Sequence, residues 1–240
     1  MKFREESNQN QLEIWAPKVK KLRLVDSGSS DTIELEKDQS GIHRSKLLSE
    51  RPSQYFFELD RDRRFPDPRS VYLPNGVHGP SQWSNWDFQW SDENWNGIAT
   101  DQLMIYELHV GAFTAEGTFS AVERELDYLE ELGINAIELM PLAQCPGRWN
   151  WGYDSVGLFA VSSNYGTPKE LKRLINECHR RGISVIHDVV YNHVGPEGNY
   201  LGAYAPYFSK KHGTPWGSAF DFDGPNQKHA RSFVIENALY

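Results

Sequence analysis

The sequence predicts an all-β unit, a small immunoglobulin-like sandwich over residues 1–60, then an ordered connector over 61–100. An α/β unit follows over 101–240, the first three βα units of an incomplete (β/α)8 TIM barrel. Three observations lead there. Short alternating segments separated by Pro, Gly, Ser and Asp clusters fill the first sixty residues. After residue 100 the rhythm becomes βαβαβα. Turns entering the second and third strands are tight, whereas the loops leaving the strands lengthen to about 9, 26 and 35 residues. Long loops at the carboxyl ends of parallel strands are the layout of a barrel with its site at one mouth. An open doubly wound sheet is the alternative, but VGAFTAEG after the first strand lacks the spacing of a glycine-rich phosphate turn.

The elements follow in order. QLEIWAP, KKLRLVD, DTIELEK, GIHRSKLL and QYFFELD are the expected strands of the β unit. RFPDPRSVYLPNGVHGPSQWSNWDFQW has no sustained period, and its aromatic content argues for an ordered connector. LMIYELHV, GINAIELM and GISVIHDVVY read as the parallel strands. The first intervening helix is expected to open with a capping box of Ser120 and Glu123, bury Val122, Leu126, Leu129 and Leu132, and stop at Gly133. The second is expected to open at Thr167, Pro168 and Glu170, bury Leu171, Leu174, Ile175 and Cys178, and stop at Gly182. FVIENALY lies in a third helix.

Composition narrows the function classes. With 39% hydrophobic residues and a negative mean hydropathy, the 240 residues read as globular. No apolar run approaches the roughly 20 residues of a membrane span, and MKFREESNQN has no signal-peptide core, so a cytoplasmic protein with no membrane partner is expected. A net charge of −8 with interspersed signs disfavours a nucleic-acid partner. Cys145 and Cys178 are too few for a disulfide framework and read as packing residues. Aromatics reach 13%, with eight Trp, and flat rings serve a sugar as well as they serve a core.

DVVYNHVGPEGN, residues 188–199, carries a carboxylate at the end of an apolar run. Alternation sets Ile186, Asp188, Val190 and Asn192 on one face, so Asp188 is expected to point into what the strand buries. A buried carboxylate costs several kcal/mol unless paired, which calls for a partner or a chemical use. Asp188, Asn192 and His193 fall at the mouth end of strand three, and WGYD, Trp151 to Asp154, lies in the long loop after strand two. Glu107 and His109 share a face of strand one, and Glu138 is on strand two. A structural role is favoured for all three, and His109 is the better functional candidate among them. HDVVYNH is too isolated to be a zinc site.

These segments carry a resemblance. DVVYNHVGPEGNY, GINAIELMPLAQCPG, WGYDSVGLFAVSSNYGTP and MIYELHVGAFT resemble the α-amylase superfamily of glycoside hydrolases and transglycosidases. Within it, FPDPRSVYLPNGVHGPSQ and NYLGAYAPYFSKKHGTPWGSAFDFDGP are similar to segments of maltooligosyltrehalose trehalohydrolases, and Asp154 stands where branching enzymes usually have Gln. The resemblance implies a retaining α-glycosidase that cleaves the α-1,4 bond next to the terminal trehalose of maltooligosyltrehalose. It also implies roles for single residues. Tyr153 would stack under the sugar, with Asp154 bracing it, and His193 would hydrogen-bond the primary hydroxyl. Asp188 would organise the site from below together with Asn192 and His109, and Trp216 would help recognise the trehalose end. The expected partner is maltooligosyltrehalose or a related α-glucan. No cofactor is expected and no metal, because Asn192, which matches a calcium ligand in calcium-dependent amylases, lacks surrounding carboxylates.

Retaining hydrolysis needs a nucleophile and a general acid roughly 5–5.5 Å apart. In the superfamily these stand at the ends of the fourth and fifth strands, so no catalytic residue is assigned within residues 1–240, and this fragment alone is expected to be inactive. The spacing of Asp154, Asp188 and Glu197 does not recommend them as replacements. A branching or debranching relative and a non-catalytic glucan-binding fragment are the alternatives.

Overall fold

The computed structural model describes residues 11–48, 51–60 and 62–240. The first ten residues of the expected β unit therefore lie outside the described residues. Seven antiparallel strands come first: β1 Glu13–Trp15, β2 Leu22–Asp26, β3 Thr32–Lys37, β4 Ile42–Arg44, β5 Gln54–Leu59, β6 Arg63–Phe65 and β7 Ser81–Gln82. They follow one hydrogen-bonded path, β1-β4-β3-β2-β5-β6, with β7 also on β5. The path curls at β3, whose residues 32–35 pair with β2 and whose Glu36 and Lys37 pair with β4. Alternation does the sorting: Leu22 and Leu24 on β2 and Tyr55, Phe57 and Leu59 on β5 turn inward. Glu58 is buried as well. It lies in register between Arg23 and Arg64 and forms ion pairs with both, the second at 2.9 Å. β6 and β7 carry the sheet beyond residue 60, where the sequence reading ended the β unit.

Past the short 3-10 turn Thr100–Gln102, the α/β unit contains β8 Ile105–Leu108, α1 Val110–Phe113, α2 Phe119–Arg124, α3 Leu126–Glu131, β9 Ala136–Leu139, β10 Ala143–Gln144 and β11 Gly157–Val161. It continues with α4 Pro168–Arg180, β12 Ser184–His187, β13 His193–Val194, α5 Leu201–Tyr204, β14 Phe208–Thr214, β15 Gly217–Phe220 and α6 Gln227–Ala238. β8, β9 and β12 form a parallel sheet in the order β12-β9-β8, with Glu107 beside Glu138 and Glu138 beside Ile186. Leu108, Ile137 and Leu139 on one face pack with Phe119, Val122, Leu126 and Leu129 of α2 and α3 and with Leu174 and Cys178 of α4. All three helices cover that one face, as in a β/α-barrel segment, whereas a doubly wound sheet is covered on both. Among the described residues no helix is long and apolar enough to cross a membrane.

The capping box expected at Ser120 and Glu123 is not the cap that forms. Thr118 caps α2, its side chain accepting from the Ala121 amide at 3.2 Å. Ser120 instead donates to Glu170 at 3.0 Å, and Glu123 pairs with Arg173 at 2.7 Å, so both are used between helices. The expected single helix breaks at Glu125, and Leu132 is exposed. The second helix does open with the capping box of Thr167 and Glu170. Leu174 and Cys178 are fully buried, Leu171 and Ile175 partly.

The two units share one core. Leu22, Leu24, Phe57 and Leu59 of the antiparallel sheet cluster with Val156, Phe159, Val194, Tyr204, Phe220 and Phe233. These come from the long loops and from α6. The Tyr204 hydroxyl donates to the Pro66 carbonyl at 2.8 Å, and Arg69 pairs with Glu236 on α6. The long loops are thus clamped between the sheet and the helices.

Candidate active site

The loop after β9 is a structured hairpin of β10 and β11 and carries Trp151, Tyr153 and Asp154. Gly152 bends it at φ +95°, and an added Cβ there would lie 2.4 Å from the Pro141 carbonyl oxygen. This turn sends the Tyr153 hydroxyl to Asp188, donating to Oδ2 at 2.9 Å. The contact joins the loop after β9 to the residue following β12. Asp188 continues the sheet by one bond, its amide donating to the Leu139 carbonyl at 3.0 Å.

The carboxylate is half-buried rather than enclosed, which corrects the sequence expectation. Asp188 continues the alternation of Ile186, but the sheet face they share is uncovered among the described residues, where Ile105 is 48% exposed. Its partner is the phenol. The hydrogen bond to Asp188 and partial burial push the Tyr153 hydroxyl above its ordinary pKa, and Asp188, Glu107 and Glu138 add negative charge nearby. Glu107 and Glu138 lie on the sheet face opposite the helices, and neither carboxylate has a hydrogen-bond partner among the described residues.

The brace for Tyr153 is therefore Asp188 and not Asp154. The Asp154 side chain is exposed and without a hydrogen-bond partner among the described residues. Its backbone does the joining: Gly195 packs against it so closely that a Cβ would sit 2.5 Å from the Asp154 carbonyl oxygen. The Gly195 amide also donates to the Ser155 carbonyl at 3.2 Å.

His193 starts β13, which pairs with β15, and is 5% exposed. Its Nδ1 lies 3.0 Å from Oδ1 of exposed Asn192. The β14–β15 turn is tied by the Thr214 hydroxyl, which accepts from the Trp216 and Gly217 amides at 3.2 and 3.0 Å. It holds the exposed Trp216 indole 6.0 Å, between ring centres, from His193. His193, Asn192 and Trp216 thus form one group, and Tyr153 and Asp188 another. The contact of Gly195 with the Asp154 backbone ties the two loops together.

His109 stands apart from both groups. Its Nε2 donates to the Asn150 carbonyl at 2.7 Å, with the Tyr165 hydroxyl 3.2 Å from the same nitrogen, while Nδ1 is buried without a partner among the described residues. It anchors the loop that bears Tyr153 from underneath. Tyr165 and Asn150 were missed in the sequence, where nothing marks a carbonyl acceptor 41 residues away. Cys145 and Cys178 are buried free thiols, both pushed up to about 12 by burial, which makes them packing residues.

Known proteins match this arrangement. The chain is 47% identical to the malto-oligosyltrehalose trehalohydrolase of Saccharolobus solfataricus over 230 residues, 95% of this chain and 40% of that protein. It is 43% identical to the enzyme of the same name from Deinococcus radiodurans, over 82% of this chain and 33% of that one. The chain thus spans about 40% or less of the length of these relatives. A crystal structure of a putative alpha amylase from Salmonella typhimurium superposes with a TM-score of 0.89 at 38% identity, over 96% of this chain and 39% of that one. The sequence model described as alpha amylase, catalytic domain, matches residues 54–216, which include Tyr153, Asp188, His193 and Trp216. With that match extending over more than half of its length, the chain belongs to the alpha-amylase family.

Proposed function

We propose that this chain is the amino-terminal part of a retaining α-glycosidase that hydrolyses the α-1,4 bond next to the terminal trehalose of maltooligosyltrehalose. The observation that carries the reading is the hydrogen bond from Tyr153 to Asp188, which fixes an aromatic ring at the mouth of the parallel sheet. In this reading the ring stacks against the sugar at the cleavage site, and Asp188 holds its orientation. His193, its Nδ1 engaged by Asn192, turns Nε2 to a sugar hydroxyl. Trp216 meets the trehalose end and Asp154 lines the same mouth. Ring stacking with directed hydrogen bonds is how such a site holds a sugar and distorts it toward an oxocarbenium-like transition state.

The nucleophile and general acid are assigned outside residues 1–240, on the remaining strands of a closed (β/α)8 barrel. The 240-residue chain alone would then position substrate without turning it over, since both groups take part in bond making or proton transfer. The immunoglobulin-like layout of the N-terminal unit belongs to the same reading, supported by the division of β3 between β2 and β4.

The test is product analysis with the enzyme that contains this chain. Incubation with maltooligosyltrehalose should release trehalose, and Trp216→Ala should lower the preference for that substrate over plain maltooligosaccharides. Transfer of glucan chains to glycogen without trehalose release would assign the protein to the branching enzymes instead.

A further inference from the structure

Beside Tyr153 in the sequence, the segment Arg148-Trp149-Asn150-Trp151 exposes more aromatic surface than packing among the described residues explains. Trp149 is 79% exposed and Trp151 75%, against 40% for Tyr153. The segment is nevertheless pinned on both sides of each indole. Asn164 Nδ2 donates to the Gly147 carbonyl at 2.9 Å, His109 to that of Asn150 at 2.7 Å, and the Gly152 amide to Asn150 Oδ1 at 2.6 Å. The Arg148 guanidinium lies 5.0 Å from the centre of the Trp149 ring, within cation–π range.

Two large apolar rings on a fixed loop, left largely uncovered by the described residues, call for an occupant. The surroundings choose among occupants. Alternation of indoles with Arg148, Asn150 and Asn164 is poor chemistry for a greasy protein interface, whose core is depleted in charge. It is good chemistry for a sugar chain, which offers flat C–H faces to indoles and hydroxyls to amides and a guanidinium. Trp151 is also only two residues from Tyr153 on the same loop.

We propose that Trp149 and Trp151 form a second stacking platform that binds the glucose units of an α-1,4-glucan beyond the cleavage site. The platform sets the preference for longer chains. This rests on the reading of Tyr153 as a sugar-stacking residue.

The test uses the enzyme that contains this chain, with calorimetric Kd values for maltotriose and maltoheptaose and with the melting temperature. Trehalose release from maltooligosyltrehalose is assayed separately, so a failure of the proposed reaction is visible apart from a failure of the platform. Trp149→Ala and Trp151→Ala should each weaken maltoheptaose about tenfold more than maltotriose, the scale of losing an aromatic anchor. Trp149→Phe should restore most of that loss. An unchanged ratio of the two Kd values in both alanine variants would overturn the platform. An unchanged ratio with a melting temperature lowered by several degrees would assign the indoles to packing against other parts of the enzyme, which also overturns it.

Discussion

Gly195 offers the sharpest test of how the site is held. Gly195→Ala adds one methyl group whose carbon would stand 2.5 Å from the Asp154 carbonyl oxygen, 2.9 Å from its carbon and 3.2 Å from its Cα. A carbon–oxygen contact relaxes at about 3.3 Å, so the two loops must part by about 0.8 Å. All three atoms are backbone, and no side chain can swing aside. The adjacent bond from the Gly195 amide to the Ser155 carbonyl is already 3.2 Å and would pass out of hydrogen-bonding range. Overpacking costs about 1–3 kcal/mol and the lost bond about 1 kcal/mol, together about 2–4 kcal/mol. At roughly 2–4 °C per kcal/mol for a domain of this size, the melting temperature should fall by about 4–16 °C. Tyr153 precedes the displaced residue and should lose its alignment with Asp188, lowering kcat/KM by about 100-fold. Gly202→Ala is the control. It lies in α5 with nothing within 4 Å of an added Cβ, so it should leave stability unchanged or raise it by about 0.4–1 kcal/mol. A Gly195→Ala enzyme within 1 °C and twofold of the parent would refute the claim that close backbone approach aligns the two loops.

Tyr153→Ala should lower kcat/KM about 100-fold or more, and Tyr153→Phe, which keeps the ring but leaves Asp188 without its donor, about tenfold. Both should melt within about 1 °C of the parent, and loss of the fold in Tyr153→Ala would make the ring a core residue. Cys145 and Cys178 should resist a thiol reagent at neutral pH until the protein unfolds, because burial holds both near 12. Labelling of the native protein would contradict that placement. His43 is fully buried, and desolvation lowers its pKa. The unfolded chain takes up a proton near pH 6.5 that the folded one refuses, so stability is full above that value and falls as pH drops through it. His43→Gln should flatten the decline between pH 7 and pH 5 without abolishing it, because burial lowers His229 as well, and parallel pH profiles would remove His43 as a cause.

Much of the fold was legible because it is local. The five alternating segments before residue 60 became β1 to β5, since period-two burial leaves a direct mark on the sequence. β6 and β7, at three and two residues, are too short to show a period. The cap of α2 was misread because Ser120 and Glu123 satisfy the same spacing rule as a capping box. Their actual partners, Glu170 and Arg173, are about 50 residues away. Within the site, the motifs were visible but their union was not. The Tyr153–Asp188 contact joins residues 35 apart through the end of one strand and the turn at Gly152, and no periodicity encodes it. The exposure of Trp149 and Trp151 was equally hidden, since an indole reads alike in a core and on a surface.

The choice of a phenol as the partner of Asp188 has a physical consequence. An arginine or lysine in its place would neutralise the carboxylate, whereas a hydroxyl donor orients it and leaves its charge intact. Glu107 and Glu138 stand in register on the same face of the sheet, without hydrogen-bond partners among the described residues, and they add to the negative field at Tyr153. In the proposed reaction the sugar gains positive charge on the way to an oxocarbenium-like transition state. A mouth with fixed negative charge stabilises that state more than the neutral ground state, which is the condition for raising a rate and not only an affinity. The antiparallel sheet contributes by holding the geometry still: Val156 and Val194, from the two loops of the site, share one core with Phe57 and Leu59. Charge is useful to a transition state only where its position is fixed in advance, and the hydrogen bond from Tyr153 fixes that of Asp188.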